Sequence, residues 1–345
     1  MGLQCGQVLP LCIFISTVGP LDNPPHPKGY VCVCGTPAID GRLVDPAWDN
    51  AAWTDEYVDI EGSQKPLPRF KTRAKMLWDD EHFYIGAEME ESHVWATLTK
   101  HDSVIFYDND FEVFIDPNGD NHNYYELEIN ALNTEWDLRL PKAYRDGGSA
   151  LDSWEVPGLS KAVHIDGTLN DSRDTDKGWT VELAIPWKAL GEFAGCPSPP
   201  VEGDQWRVNF SRVEWTTDIV DGQYVKIPKW REDNWVWSPQ WVIDMHQPQM
   251  WGYVQFATSK ADFRQDETHL ARMFLHRVYY KQKERVAKRF AGSLGALGLK
   301  PPEGVFLREP RVFITPTGYE ASGIVSVDGK PRRLAIHEDS RLTLE

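Results

Sequence analysis

Between Thr72 and Phe256 the chain alternates apolar and polar residues over one short stretch after another. A period of two marks a β-strand with one buried face, because successive side chains point to opposite sides of a sheet. Thr72–Trp78, the turn Asp79-Asp80-Glu81 and His82–Glu88 read as a hairpin. In Asp110–Asp116, Phe111, Val113 and Ile115 oppose Asp110, Glu112 and Phe114. In Asn123–Ala131, Tyr125, Leu127, Ile129 and Ala131 oppose Tyr124, Glu126, Glu128 and Asn130. Trp179–Ile185, Trp206–Val213 and Trp251–Phe256 repeat the pattern. Many short strands with Gly, Asp and Asn turns and few helical patterns predict a mainly β fold, an antiparallel β-sandwich.

Tryptophan locates the boundary of that unit. All 15 Trp lie between Trp48 and Trp251, and none follows. The break predicts three parts: a leader and linker over residues 1–28, a sandwich over 29–258, and a different module over 259–345. In the last, Leu270, Met273, Phe274, Val278 and Val286 approach helical spacing between Asp266 and about Phe290. Strand-like alternation returns over Thr315–Ile336. The tail is therefore read as an α+β extension, a helix followed by a small sheet. Its basic residues, Lys281, Lys283 and Arg285–Arg289, are either solvated or set against the acidic sandwich.

The net charge of −16 excludes a nucleic-acid partner of the usual kind, because phosphate binding needs a basic surface. Residues 9–19 (LPLCIFISTVG) form an apolar run of about signal-peptide length without a basic flank. An export signal is expected there, hence a secreted protein, and no stretch reads as a transmembrane helix. The five cysteines, Cys5, Cys12, Cys32, Cys34 and Cys196, show no metal spacing. Cys32 and Cys34 point to opposite faces of a strand and cannot readily bridge each other.

Five stretches occur in order: Gly35-Thr36-Pro37-Ala38-Ile39-Asp40-Gly41 with Asp45-Pro46-Ala47-Trp48; Ala74–Asp80 leading into Phe83-Tyr84-Ile85; Asp110–Asp116; Gly178–Trp187; and Trp237-Ser238-Pro239 closing with Trp251-Gly252-Tyr253. Together they resemble the family 9 carbohydrate-binding modules and their relatives. The resemblance implies a β-sandwich that holds the end of a sugar chain between two Trp rings, with carboxylates and amides on the hydroxyls and calcium in a structural role. By position, Glu112 matches an acidic sugar contact and Asn130 an amide. The clamp positions fall on Tyr107 and Met245, both departures from Trp, so Trp241, Trp235 or Trp95 are alternative platforms.

Asp110 and Glu112 share one strand face, as do Glu126, Glu128 and Asn130 on the next. If those faces pair, four carboxylates and an amide line one surface. Three readings stay open: sugar recognition, a cation site, and plain solvent exposure. The loop Asp116–Asn123 is rich in oxygen ligands. Asp116, Asn118 and Asp120 are candidate Ca2+ ligands, with an Asx-turn cluster as the alternative. The segment Trp230–Trp251, with five Trp and three Pro counted from Pro228, reads as a binding loop rather than a core strand.

The expected function is non-catalytic carbohydrate binding. Two alternatives are a glycoside hydrolase, since same-face residues two apart sit about 6.5–7 Å apart, and a haem-binding redox module using Met89, Met245, His93 or His246. No Ser-His-Asp set, phosphate loop or zinc motif is evident.

Overall fold

The computed structural model describes residues 24–285, 289–301 and 306–345. The apolar run at 9–19, Cys5, Cys12 and Val286 lie outside the described residues. In chain order the sandwich strands are β1 (Gly29–Cys34), β2 (Val58–Asp59), β3 (Thr72–Trp78), β4 (His82–Glu90), β5 (Asp110–Asp116), β6 (His122–Asn130), β7 (Glu135–Lys142), β8 (Ser160–Asp166), β9 (Gly178–Pro186), β10 (Gln205–Glu214), β11 (Thr217–Val220), β12 (Gln223–Lys226), β13 (Asp233–Val236) and β14 (Gly252–Ala257).

Ten of these follow one curled path, β7-β6-β5-β10-β14-β1-β3-β4-β9-β8, with β13 added beside β10 and β2 beside β13. The curl lays the half β7 to β14 over the half β1 to β8. The apolar set of each alternating strand then meets in one core: Phe111, Val113, Leu127 and Phe210 from one half, Met76, Ile85, Val181 and Leu183 from the other. Aromatic rings bridge the two halves, Phe83 on β4 lying 5.8 Å from Phe256 on β14.

The sheet is mixed, which corrects the purely antiparallel expectation. β1 runs parallel to both β14 and β3. A parallel neighbour needs a long crossover, and residues 35–71 supply one before β3. Glu182 on β9 pins that crossover. Its fully buried carboxylate accepts from the amides of Asp40, Gly41 and Leu43 and from Trp48 Nε1 at 2.7 Å. The turn between β3 and β4 is held by Asp79 Oδ1, which accepts from the amides of Glu81 and His82, each at 2.8 Å. Cys32 is buried and Cys34 exposed, on opposite faces of β1.

Ten of the 15 Trp are buried. In the Trp230–Trp251 segment the structure corrects the expectation of exposed rings and of no core strand, since Trp235, Trp237 and Trp251 are buried and residues 233–236 form β13. Other residues of the segment, Arg231, Glu232, Asn234 and Ile243 to His246, line a cleft on the outer sheet face. Only Trp230 is mostly exposed.

After α1 (Trp187–Gly191) and the sandwich come α2 (His269–Lys283) and an antiparallel sheet of β15 (Arg308–Ile314), β16 (Tyr319–Val327), β17 (Lys330–His337) and β18 (Leu342–Leu344). α2 packs Phe274, Leu275 and Val278 against Tyr319, Val325 and Ile336 in a second apolar cluster. The helix is shorter than its pattern suggested, and Leu270 faces solvent. The tail sits on the sandwich through polar contacts. Asn121 Nδ2 donates to the Ser340 carbonyl at 2.8 Å, and Asp146 accepts from the hydroxyls of Tyr279 and Ser340 and pairs with Lys283 at 2.7 Å. No helix among the described residues is long and apolar enough to cross a membrane.

Candidate functional site

The outer face of β7-β6-β5-β10 carries a cleft of about 350 Å³. Its floor follows from register. Glu112 on β5 lies directly opposite Glu128 on β6 and Ser211 on β10. Asp110 lies opposite Asn130 and Val213, and Phe114 opposite Glu126. Opposed residues share a face with Cβ atoms about 4.5–5.5 Å apart. The register thus gathers Asp110, Glu112, Glu126 and Glu128 in one patch. One oxygen each of Asp110, Glu112 and Glu128 falls within 4.8 Å of the other two.

All four carboxylates are buried, and burial favours the neutral form. It pushes Glu112 up to about 7, with Glu232 adding to the rise. Asp110, Glu126 and Glu128 are raised well above the usual carboxylate range, first by burial and then by the charges of their neighbours. Two hydrogen bonds fix the patch. Glu128 Oε2 accepts from the Phe106 amide at 3.0 Å, and Asp110 Oδ1 from the Val213 amide at 3.2 Å.

An aromatic rim stands on this floor. Phe106 and Tyr107 come from the turn before β5, Trp136 from β7, and Tyr144 and Trp215 from loops. Tyr107 is 48% exposed, so its ring is open to a ligand. Trp215 Nε1 donates to the Phe106 carbonyl at 2.8 Å. Lys226, at the end of the β11–β12 hairpin, sits 3.6 Å over the Trp215 ring and donates to the Tyr107 carbonyl. Burial lowers this lysine to about 8. The far wall is Asp244, Met245 and His246. Burial, then the charge of Arg145, lowers His246 to about 3, which leaves it neutral beside the Tyr124 hydroxyl at 3.1 Å.

Of the residues singled out in the sequence, Tyr107, Glu112, Glu126, Glu128 and Met245 line the cleft, and Asp110 lies beside the glutamates. Two corrections follow. Asn130 is fully buried and spent internally: Nδ2 donates to the Leu98 carbonyl and Asp108, and Oδ1 accepts from the amides of Leu132 and Thr134. Trp241 stands outside the cleft with its ring against Gly62, where even an added Cβ would collide. Trp235 and Trp95 are buried.

Asp116, Asn118 and Asp120 accept amide protons of their own loop. Asp116 takes those of Gly119 and Asn121, Asn118 that of Asp120, and Asp120 that of His122. These are the bonds of an Asx-turn cluster. Met89 is a core residue, whereas Met245 packs on a separate apolar cluster, so the two do not approach a common iron. Phe106, Trp136, Tyr144, Trp215, Lys226 and Glu232 were not singled out in the sequence. Of these Trp136 had a signal in its alternation with Leu138 and Leu140 along β7, and Glu232 in its place within the Trp230–Trp251 segment.

A family model described as "Carbohydrate family 9 binding domain-like" matches residues 39–255. An endo-1,4-beta-xylanase A of Thermoanaerobacterium saccharolyticum is 30% identical over 158 residues, 46% of this chain and 11% of that protein. The exoglucanase XynX of Acetivibrio thermocellus is 29% identical over 159 residues, 46% of this chain and 12% of that protein. The matched segments thus span a small fraction of these curated relatives. A solved family 9 module from Caldicellulosiruptor kristjanssonii in complex with cellotriose is 17% identical, with a TM-score of 0.44, and the match covers 68% of this chain and 96% of that one.

Proposed function

The chain belongs to the carbohydrate family 9 binding domain-like family, and from that premise we propose that its cleft binds a β-1,4-linked xylo- or gluco-oligosaccharide without cleaving it. The observation that carries this reading is an open cleft with a carboxylate floor and an aromatic rim. Aromatic faces stack on the C–H face of a sugar ring, and carboxylates accept bonds from its hydroxyls. The choice of linkage comes from the xylanase and exoglucanase relatives. The apolar run at residues 9–19, read as an export signal, suits a chain whose ligand is an extracellular polysaccharide.

Glu112, Glu126 and Glu128 rise side by side from one sheet face, a spacing that glycosidases also use, so cleavage is measured directly. The test is affinity electrophoresis in xylan and soluble β-glucan, with reducing ends measured in parallel. Retardation without new reducing ends is expected. Release of reducing sugar that vanishes in Glu128→Gln overturns the non-catalytic reading, and no retardation in either polymer overturns binding.

A further inference from the structure

We propose that Asp110, Glu112 and Glu128 hold a hard divalent cation of the Ca2+ class in the cleft floor, where vicinal sugar hydroxyls complete its shell. The cation site stands on the protein's own residues. Only its use in sugar recognition rests on the carbohydrate reading above.

The geometry suits one ion. Ca2+ takes oxygens at about 2.3–2.6 Å, so two oxygens on the same ion lie no more than about 5 Å apart. The three carboxylates each offer an oxygen within 4.8 Å of the others. They are 0%, 5% and 2% exposed, and taking several carboxylates out of water at one spot is costly unless a countercharge joins them. The basic residues of the cleft wall are engaged: Arg231 with Glu232 at 3.6 Å, and Lys226 on Trp215 and the Tyr107 carbonyl.

A separate observation points to the same place. Asp110 Oδ2 and Glu126 Oε2 are buried without a hydrogen-bond partner, and the Ser211 hydroxyl has the Glu112 carboxylate as its neighbour. Ser211 is fully buried on β10, directly opposite Glu112, so its hydroxyl is on the carboxylate face. Buried polar atoms are nearly always paired. Two unpaired, buried carboxylate oxygens in one patch mark the position of a partner that is not a protein side chain. A cation answers both the charge and the open lone pairs, and an all-oxygen shell selects Ca2+ or Mg2+ over zinc or copper. Shared protons would relieve the charge as well. They would also make the patch indifferent to metal, which separates the two accounts. The loop at Asp116–Asp120 contrasts with it, because there backbone amides occupy the oxygens.

The cation also gives the site a chemistry for sugar. On an open cleft the ion keeps outward positions, and two vicinal hydroxyls make a bidentate ligand for them.

The experiment uses the full chain stripped with EDTA. Ca2+ is titrated without sugar by thermal unfolding and calorimetry, and Tb3+ by luminescence excited through tryptophan, since Trp136 lies directly opposite Glu128. The expected results are a rise in Tm with Ca2+ and sensitised Tb3+ emission. In Glu112→Gln and Glu128→Gln both weaken by at least about 10-fold while unfolding stays cooperative. No response to millimolar Ca2+, or equal responses in the native chain and both variants, overturns the site. Oligosaccharide is then titrated with Ca2+ and with EDTA. Equal affinity in both overturns the cation's role in recognition. A Ca2+ response without sugar binding in either condition leaves the cation site standing and refutes the carbohydrate reading.

Discussion

At the scale of single residues, Tyr107 and Glu112 carry opposite kinds of test. Tyr107 is nearly half exposed, so its ring is available to a ligand and adds little to the core. Tyr107→Ala is expected to weaken oligosaccharide binding by about 10-fold, on the order of 1.4 kcal/mol. It should shift stability by less than about 0.5 kcal/mol. Calorimetry and thermal unfolding of the same sample check both. Glu112 is a matter of pH. Its folded value is raised from 4.5 to about 7, so the folded protein binds this proton more tightly than the unfolded chain does. That contribution to stability is complete below pH 4.5 and is lost as pH rises through about 7. In EDTA, stability is expected to fall between pH 5 and pH 8, and to fall less in Glu112→Gln. Equal slopes would show that the carboxyl is not perturbed. Much of this patch was legible: Glu112, Glu126 and Glu128 occupy one strand face by alternation alone. Asn130 was misread because alternation fixes a face but not what an amide bonds. Its partners, Asp108 and the amides of Leu132 and Thr134, sit in turns that only the folded chain brings together. Trp241 was misread for a similar reason: its ring packs on Gly62, a contact made only in the folded chain, while residues 243–246 of the same loop line the cleft.

Among elements, the informative joint lies between α2 and the cleft's far wall. Tyr280 on α2 donates to Gln247 Oε1 and accepts from Gln249 Nε2, each at 2.8 Å. The Gln247 amide in turn donates to the Met245 carbonyl at 2.8 Å, so the helix braces the segment bearing Met245 and His246. Tyr280→Phe removes one bond from each of two buried amide groups, which still bond each other at 2.8 Å, and is expected to cost about 0.5–1.5 kcal/mol, measured by urea unfolding. Asp146 works at the same joint with the reverse pH sign. Burial alone would raise it, but the charge of Arg145 and the bonds from Lys283 and Tyr279 outweigh burial and hold it below 3.8. Its contribution is present above that value and is lost as pH falls through the depressed one. Asp146→Asn is expected to cost about 1–3 kcal/mol near neutral pH, because it removes the carboxylate that Arg145 and Lys283 share and leaves Arg145 to Asp244, 3.9 Å away. A loss under 1 kcal/mol would show that the joint is not a stabilising one. The strand-rich pattern predicted the sandwich, yet the parallel β1 was hidden. Strand direction depends on where the 35–71 crossover returns, and no local periodicity records that. The helix of the tail was visible, but its polar docking was not, since Asn121, Asp146 and Gln247 look like ordinary surface residues until α2 covers them.

On the scale of the whole molecule, the sheet's two faces divide the labour. The inner face supplies one apolar core from both halves of the curl. The outer face of β7-β6-β5-β10 is freed for acidic residues, which a strand packed on both sides would not tolerate. The tryptophans follow the same division. Most stabilise the fold, and recognition falls to the few rings at the rim. The claim that this cleft is the sugar site is tested most directly by titrating xylo- and cello-oligosaccharides into the full chain with Ca2+ present, following tryptophan fluorescence. The account predicts a saturable shift, carried by Trp136 and Trp215 beside the floor, that is weakened in Tyr107→Ala. A flat trace across both sugar series, with and without Ca2+, or saturation unchanged in Tyr107→Ala, would contradict it.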